Sequence, residues 1–333
     1  MTDRRRINGP PEGTTPLEFL TGFTHQSVIK RSPTTLRKIF LKTSLTPPAT
    51  GSAFLELPTP SSPSTPTLKL TASVYGPRPL PSATAFSPNA RLTAELKFSP
   101  FSTPGRRRGY IRDGVERDLS AQLSLALVKS VDVGKYPKSA IDVFVSVLDC
   151  EGGLGDPGDG KGGGGVEVGL MGVLAAAISC ASAAIADAGI ECFDLVAGGV
   201  AGAMLERDGD VEVGRVGEGG DSGGARPRGE HARKVTLVLD PSPAGDYVIL
   251  AAAAVGYMAA KDELTLVWTK GSMSPSSDGT EETERLIDGA IRAAIGVRLV
   301  INEAIKERWL LGLNEIGLIK EKGVGGDGDT AMD

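Results

Sequence analysis

Two carboxylates six positions apart, Asp240 and Asp246, are the first residues in this chain that could do chemistry. Paired acids at a strand end can hold a metal or serve as general acid and base. Their surroundings argue against that role. Asp240-Pro241-Ser242-Pro243 has the composition of a turn in which an aspartate bonds its own backbone, and no histidine or third acid joins the pair. We read Asp240 as a turn residue and Asp246 as solvated. A second candidate, Gly155-Asp156-Pro157-Gly158-Asp159-Gly160-Lys161, fits G-x-x-x-x-G-K between an expected strand and an expected helix. Gly162 stands where a Ser or Thr must reach Mg²⁺, and Asp156 and Asp159 would repel phosphate. A chance pattern in a glycine run is the better reading than a nucleotide-binding enzyme. His25 and His231 have no partner at ligand spacing, so no zinc site is expected. Ser222 in Gly220-Asp221-Ser222-Gly223-Gly224 lacks the apolar strand that a nucleophile elbow requires. No metal and no cofactor is expected.

The cations are clustered. Arg4, Arg5 and Arg6 open the chain; Arg106, Arg107, Arg108 and Arg112 form a basic loop with Arg117 beyond it. Such loops touch RNA phosphates, or else lie in solvent or against another protein. Arg106, Arg107, Arg108 and Arg112 are the candidate RNA-binding residues. The chain as a whole carries a net charge of -5, which excludes the bulk signature of a free nucleic-acid binder. No RNP-like aromatic motif accompanies the arginines, so sequence-specific base reading is not expected. Cys150, Cys180 and Cys192 sit in apolar contexts without a CxxC pair, which predicts buried free thiols in a reducing compartment. No apolar run follows the first arginines, so no secretory signal is expected.

The elements that would position these residues follow from periodicity. Strands are expected at 38–42, 52–57, 67–75 and 91–98, the third ended by Gly76-Pro77-Arg78-Pro79. The segment 58–66, all Pro, Ser and Thr, reads as a hairpin insert. Val115, Leu119, Leu123 and Leu127 recur every four residues and predict a helix. A β-branched strand at 140–148 follows the turn at Tyr136-Pro137. The apolar run from Val168, rich in alanine and stopped at Gly189, predicts a buried core helix rather than a membrane span. Later strands are expected at 193–205, 235–239, 248–255 and 263–268, and a last helix from Glu281 to about Glu307. With 44 Gly and 22 Pro clustered rather than spread, the organisation expected is an N-terminal extension at 1–35, one α+β domain at 36–310 and a disordered tail at 320–333. Flexible inserts are expected near 58–66, 152–165 and 206–233.

In order along the chain, several segments resemble the RNase PH family. They are Asp3-Arg4-Arg5-Arg6, Gly51-Ser52-Ala53-Phe54-Leu55-Glu56 and Gly76-Pro77-Arg78. Lys97-Phe98-Ser99-Pro100-Phe101 follows, then Glu116-Arg117-Asp118-Leu119-Ser120. Tyr136-Pro137-Lys138-Ser139, Ile141-Asp142-Val143-Phe144-Val145, Asp187-Ala188-Gly189-Ile190 and Leu239-Asp240-Pro241-Ser242 complete the series. The resemblance spans about residues 3–308. It implies an RNase PH-type α+β domain, similar to the second domain of ribosomal protein S5, with mixed sheets packed on helices. It further implies a subunit of the eukaryotic RNA exosome ring, present in nucleus, nucleolus and cytoplasm. The implied partners are other RNase PH-like subunits, OB- and KH-domain cap proteins, a separate hydrolytic nuclease and RNA. Catalytic relatives hold phosphate with a Gly-Thr-Arg type sequence at the start of the central helix, where the helix N-terminus and the arginine share the anion. Residues 162–172 of this chain contain no arginine and no threonine, and Glu167 stands among them. The resemblance therefore implies a non-catalytic subunit. The alternative is an active phosphate-dependent 3′–5′ exoribonuclease with an unusual or shared phosphate site.

Overall fold

In a computed structural model, residues 32–58, 66–102, 113–150, 168–205, 235–241, 248–271 and 279–315 are described. The strands are β1 (Phe40–Thr43), β2 (Gly51–Pro58), β3 (Pro66–Pro79), β4 (Arg91–Phe98), β5 (Ser139–Asp149), β6 (Val196–Leu205), β7 (Val235–Leu239), β8 (Val248–Met258) and β9 (Glu263–Gly271). The helices are α1 (Gly114–Val128), α2 (Val168–Asp187) and α3 (Gly279–Glu315). A five-stranded sheet runs in the order β1-β2-β3-β5-β4, and a four-stranded sheet in the order β7-β6-β8-β9. All pairs are antiparallel except β4 and β5, which α1 connects as a parallel crossover.

The first sheet alternates. Leu55, Leu57, Leu70, Ala72, Val74, Leu96, Val143 and Val145 point inward and are buried, while their neighbours point out. Its inner face rests on α1 and α2. The second sheet lies between α2 and α3, and two glycines of β6 show how closely. A Cβ on Gly198 would meet the Ala175 carbonyl at 2.1 Å, and one on Gly199, on the other face, would meet the Ala290 carbonyl at 2.1 Å. This explains the alanine content of α2. A helix pressed between two sheets must present small side chains, and 16 residues from Val168 to Ile185 are buried. The expected core helix is thus found, and its surface is covered by protein. It ends as expected at Gly189, at φ +69, where Ile190 N–H reaches the Ile185 carbonyl and Gly189 N–H the Ala186 carbonyl.

Side chains of α1 close the free edge of β4. Phe98 N–H donates to Glu116 Oε1 at 3.0 Å, Leu96 N–H to Ser120 Oγ at 2.9 Å, and Ala94 N–H to Ser124 Oγ at 3.0 Å. Four helical residues rise about 6.0 Å and two strand residues about 6.6 Å, so an i+4 row on the helix keeps step with an i+2 row on the strand. The edge is thereby closed to pairing with another strand. Glu116 also completes a capping box with Asp113.

Some boundaries differ from expectation. β3 continues past Gly76-Pro77 to Pro79, because a register shift between Tyr75 and Arg78 absorbs the irregularity. Gly76 is required there: a Cβ would lie 2.7 Å from the Ala140 carbonyl. The strand expected from Phe193 begins at Val196, since Cys192 is taken by a bridge to Val131 and Phe193 N–H by the Ser130 carbonyl. α3 runs to Glu315 rather than Glu307, for no proline intervenes and Trp309-Leu310-Leu311 are compatible with helix.

Candidate functional site at the head of the central helix

The first described turn of α2, with Val168, Gly169 and Gly172, faces the strand-entry segment before β1 and the end of β7. Between them lie two small cavities of about 20 and 30 Å³. Each has room for about one water molecule. The lining is mostly apolar; its one cation among the described residues is Arg37 and its one acid is Asp240.

These two residues find each other across 203 positions. Arg37 Nε donates to Asp240 Oδ2 at 2.7 Å and Nη2 to Oδ1 at 2.6 Å, a bidentate pair. Arg37 N–H adds a longer bond to Oδ2 at 3.3 Å. The side chains are 6% and 17% exposed, so the pair is largely shielded from water. Asp240 adopts φ +48, and its N–H is held by the Val200 carbonyl at 2.9 Å. That left-handed turn aims the carboxylate inward. The expectation of a turn at Asp240 stands with its positive φ, and the carboxylate also binds a distant arginine, which the sequence reading did not include. Sequence reasoning missed Arg37, which opens a strand region without any motif; only its partner reveals it.

Asp246 lies outside the described residues. The RNA-binding candidates Arg106, Arg107, Arg108 and Arg112 also lie outside them, in the segment joining β4 to α1. So do Arg4–Arg6, His25, His231, Ser222 and the 155–161 glycine pattern. Arg117 is described and exposed on α1. Among the described residues no group of three His, Cys, Asp or Glu could hold a metal.

A second shielded ion pair fastens the far end of the second sheet. Arg298 of α3 pairs with Asp194 and with the Leu195 carbonyl, and Ala260 N–H donates to Asp194 Oδ2 at 2.8 Å. Burial pushes the Asp194 carboxyl up, but the Arg298 hydrogen bond, the Ala260 and Leu195 N–H groups and the Arg298 charge outweigh it. The carboxyl ends below its ordinary value. Two thiols are held in the protonated form: burial pushes Cys180 up to about 12, and burial with the Asp194 charge pushes Cys192 up to about 11.

The comparisons with known proteins agree with this architecture. Residues 35–191 match the family described as 3' exoribonuclease family, domain 1, RNase PH. The exosome complex component MTR3 of Chaetomium thermophilum is 38% identical, over 92% of this chain and 99% of its own length. The protein of the same name from Schizosaccharomyces pombe is 31% identical, over 92% and 96%. The crystal structure of rice (Oryza sativa) Rrp46 superposes with a TM-score of 0.56 at 17% identity, covering 83% of this chain and 98% of that one, which shows a shared fold. Full-length similarity at this level, joined to the two-sheet architecture around a buried central helix, places the chain: it belongs to the RNase PH family of 3' exoribonucleases, alongside the fungal proteins called exosome complex component MTR3.

Proposed function

We propose that this chain is a subunit of an RNA exosome ring that helps to assemble the ring and shape its RNA path, without cleaving RNA itself. The observation that carries the second half is the engagement of Arg37. Phosphorolysis needs a receptor for inorganic phosphate. Among the described residues, the only cation lining the cavities at the head of α2 is bound bidentately by Asp240, in spaces the size of a water molecule. Residues 162–172 add no arginine. The family relation and the names of the fungal relatives support the first half.

In this reading the partners are other RNase PH-like subunits, cap proteins with OB and KH domains, and a separate hydrolytic nuclease. Arg106, Arg107, Arg108 and Arg112 contact the phosphate backbone of the transiting RNA. The sites of action are nucleus, nucleolus and cytoplasm. The test is direct. Purified chain is incubated with end-labelled RNA and inorganic phosphate, and nucleoside diphosphates are measured. None are expected; phosphate-dependent release would establish an active phosphorolytic nuclease instead.

A further inference from the structure

The first sheet uses only one of its faces to build the core, and the aromatic residues gather on the other. Phe98 is the only ring among the largest fully buried side chains. Phe40, Phe54, Tyr75 and Phe144 instead stand on the outward face of the same sheet, on β1, β2, β3 and β5. Phe40 is 53% and Phe144 39% exposed. A ring that exposed on a sheet face loses hydrophobic free energy that an inward position would have gained.

The pairing register arranges these rings as a diagonal. Phe40 pairs with Glu56, one outward position from Phe54. Phe54 pairs with Thr71, and Phe144 pairs with Ser73, one outward position farther along β3. Tyr75 follows and meets Phe144 edge-on at 5.9 Å between centroids. The row therefore crosses four adjacent strands, with hydroxyls between the rings.

Cations flank the row. Lys42 pairs with Phe54, Lys97 pairs with Ser146, and the Arg78 guanidinium lies 5.8 Å from the Tyr75 ring centre. With Lys69 and Arg91 the face carries five cations against Glu56, Glu95, Asp142 and Asp149, while the whole chain is acidic. Asp142 is bound by Arg78 and Thr93, and Asp149 lies 3.8 Å from Lys69. Those two pairs offset Arg78 and Lys69 together with their acids, which leaves Lys42, Lys97 and Arg91 to set against Glu56 and Glu95. Rings spaced along an open sheet, with hydroxyls between them and lysines at the margin, match the chemistry of unpaired nucleotides. Bases stack on the rings and phosphates follow the cations.

We propose that the outward face of the first sheet binds single-stranded RNA, with bases stacked on Phe40, Phe54, Tyr75 and Phe144 and the backbone tracked by Lys42 and Lys97. The binding is sequence-tolerant, since every base offers a face to stack. This surface is separate from the Arg106–Arg112 segment, and it does not depend on the ring assignment.

The test uses the full chain and a fluorescein-labelled oligouridylate of about 12 nucleotides, read by anisotropy across a salt series. Phe54→Ala/Phe144→Ala is expected to weaken binding about tenfold or more with little change in salt slope. Lys42→Glu/Lys97→Glu is expected to weaken binding and flatten the slope. These side chains lie outside the core, and circular dichroism verifies that the variants fold. Crosslinking of 4-thiouridine RNA to the unaltered chain needs no variant, and it should mark peptides within 40–58, 66–79 and 139–149. Unchanged affinity in both variants, or crosslinks confined to other peptides, would overturn the proposal. Lost association with partner subunits at unchanged RNA affinity would identify the face as a protein contact and overturn it as well. Either failure leaves the ring assignment standing, because that is read from the proteins that co-purify with the chain.

Discussion

Removing the Arg37 side chain tests whether the pair at the head of α2 holds the two halves of the fold together. Arg37→Met keeps the length and apolar stem of the side chain and deletes the guanidinium. Asp240 then retains a carboxylate only 17% exposed, with its two charge-assisted bonds at 2.6 and 2.7 Å gone. Breaking a buried pair by removing one partner costs about 3–5 kcal/mol. The residual exposure of Asp240 and the surviving Arg37 N–H bond argue for the lower end, about 3 kcal/mol, or about 150-fold in the folding equilibrium. Arg37→Lys keeps the charge but not the fork, and should lose about half as much. The assay is equilibrium urea unfolding followed by circular dichroism. A double-mutant cycle with Asp240→Asn, a residue that tolerates the positive φ, isolates the pair from each residue's other contacts. A coupling of about 1.5–3 kcal/mol is expected. A loss below about 0.5 kcal/mol in Arg37→Met with no coupling would refute the reasoning, because the pair would then be an incidental surface contact.

Other outcomes follow from single contacts. Ser120→Ala leaves the buried Leu96 N–H without its acceptor and should cost about 1–3 kcal/mol in the same unfolding assay. Gly199→Ala drives a methyl to 2.1 Å from the Ala290 carbonyl; it should abolish accumulation of soluble protein or lower the melting temperature by more than any surface substitution. Because the folded Asp194 carboxyl is depressed, its contribution is full above the unfolded pKa and is lost as pH falls through the folded one. Melting curves below about pH 4 should therefore show a steeper acid decline in the unaltered chain than in Asp194→Asn. Cys180 should stay unmodified by iodoacetamide at about pH 8 in the native chain and react on unfolding, as mass spectrometry of the alkylated peptides would show.

Local signals in the sequence suffice for elements whose own residues determine them. β4 spans 91–98, as its alternation predicts, and α1 follows the four-residue recurrence from Val115 to Leu127. The buried character of α2 is legible because a run of alanine and glycine is too small-sided to fill space except between close layers. Long-range geometry is not legible. Nothing local to β5 indicates that it inserts between β3 and β4, since that order depends on the crossover through α1. Gly76-Pro77 reads as a strand terminator, and only the register shift against β5 lets β3 continue. Arg37 carries no motif, and its bond to Asp240 depends on a positive φ that no neighbour announces. The aromatic row is hidden for a similar reason. Its four rings are spread from Phe40 to Phe144, and only strand pairing brings them to one face.

The central claim, membership in an exosome ring, is tested most directly by native mass spectrometry of the tagged chain purified from its own cells. The expected result is a stoichiometric assembly holding one copy of this chain with other RNase PH-like subunits and a hydrolytic nuclease. A chain recovered as a monomer, or as a ring of identical copies, would contradict it.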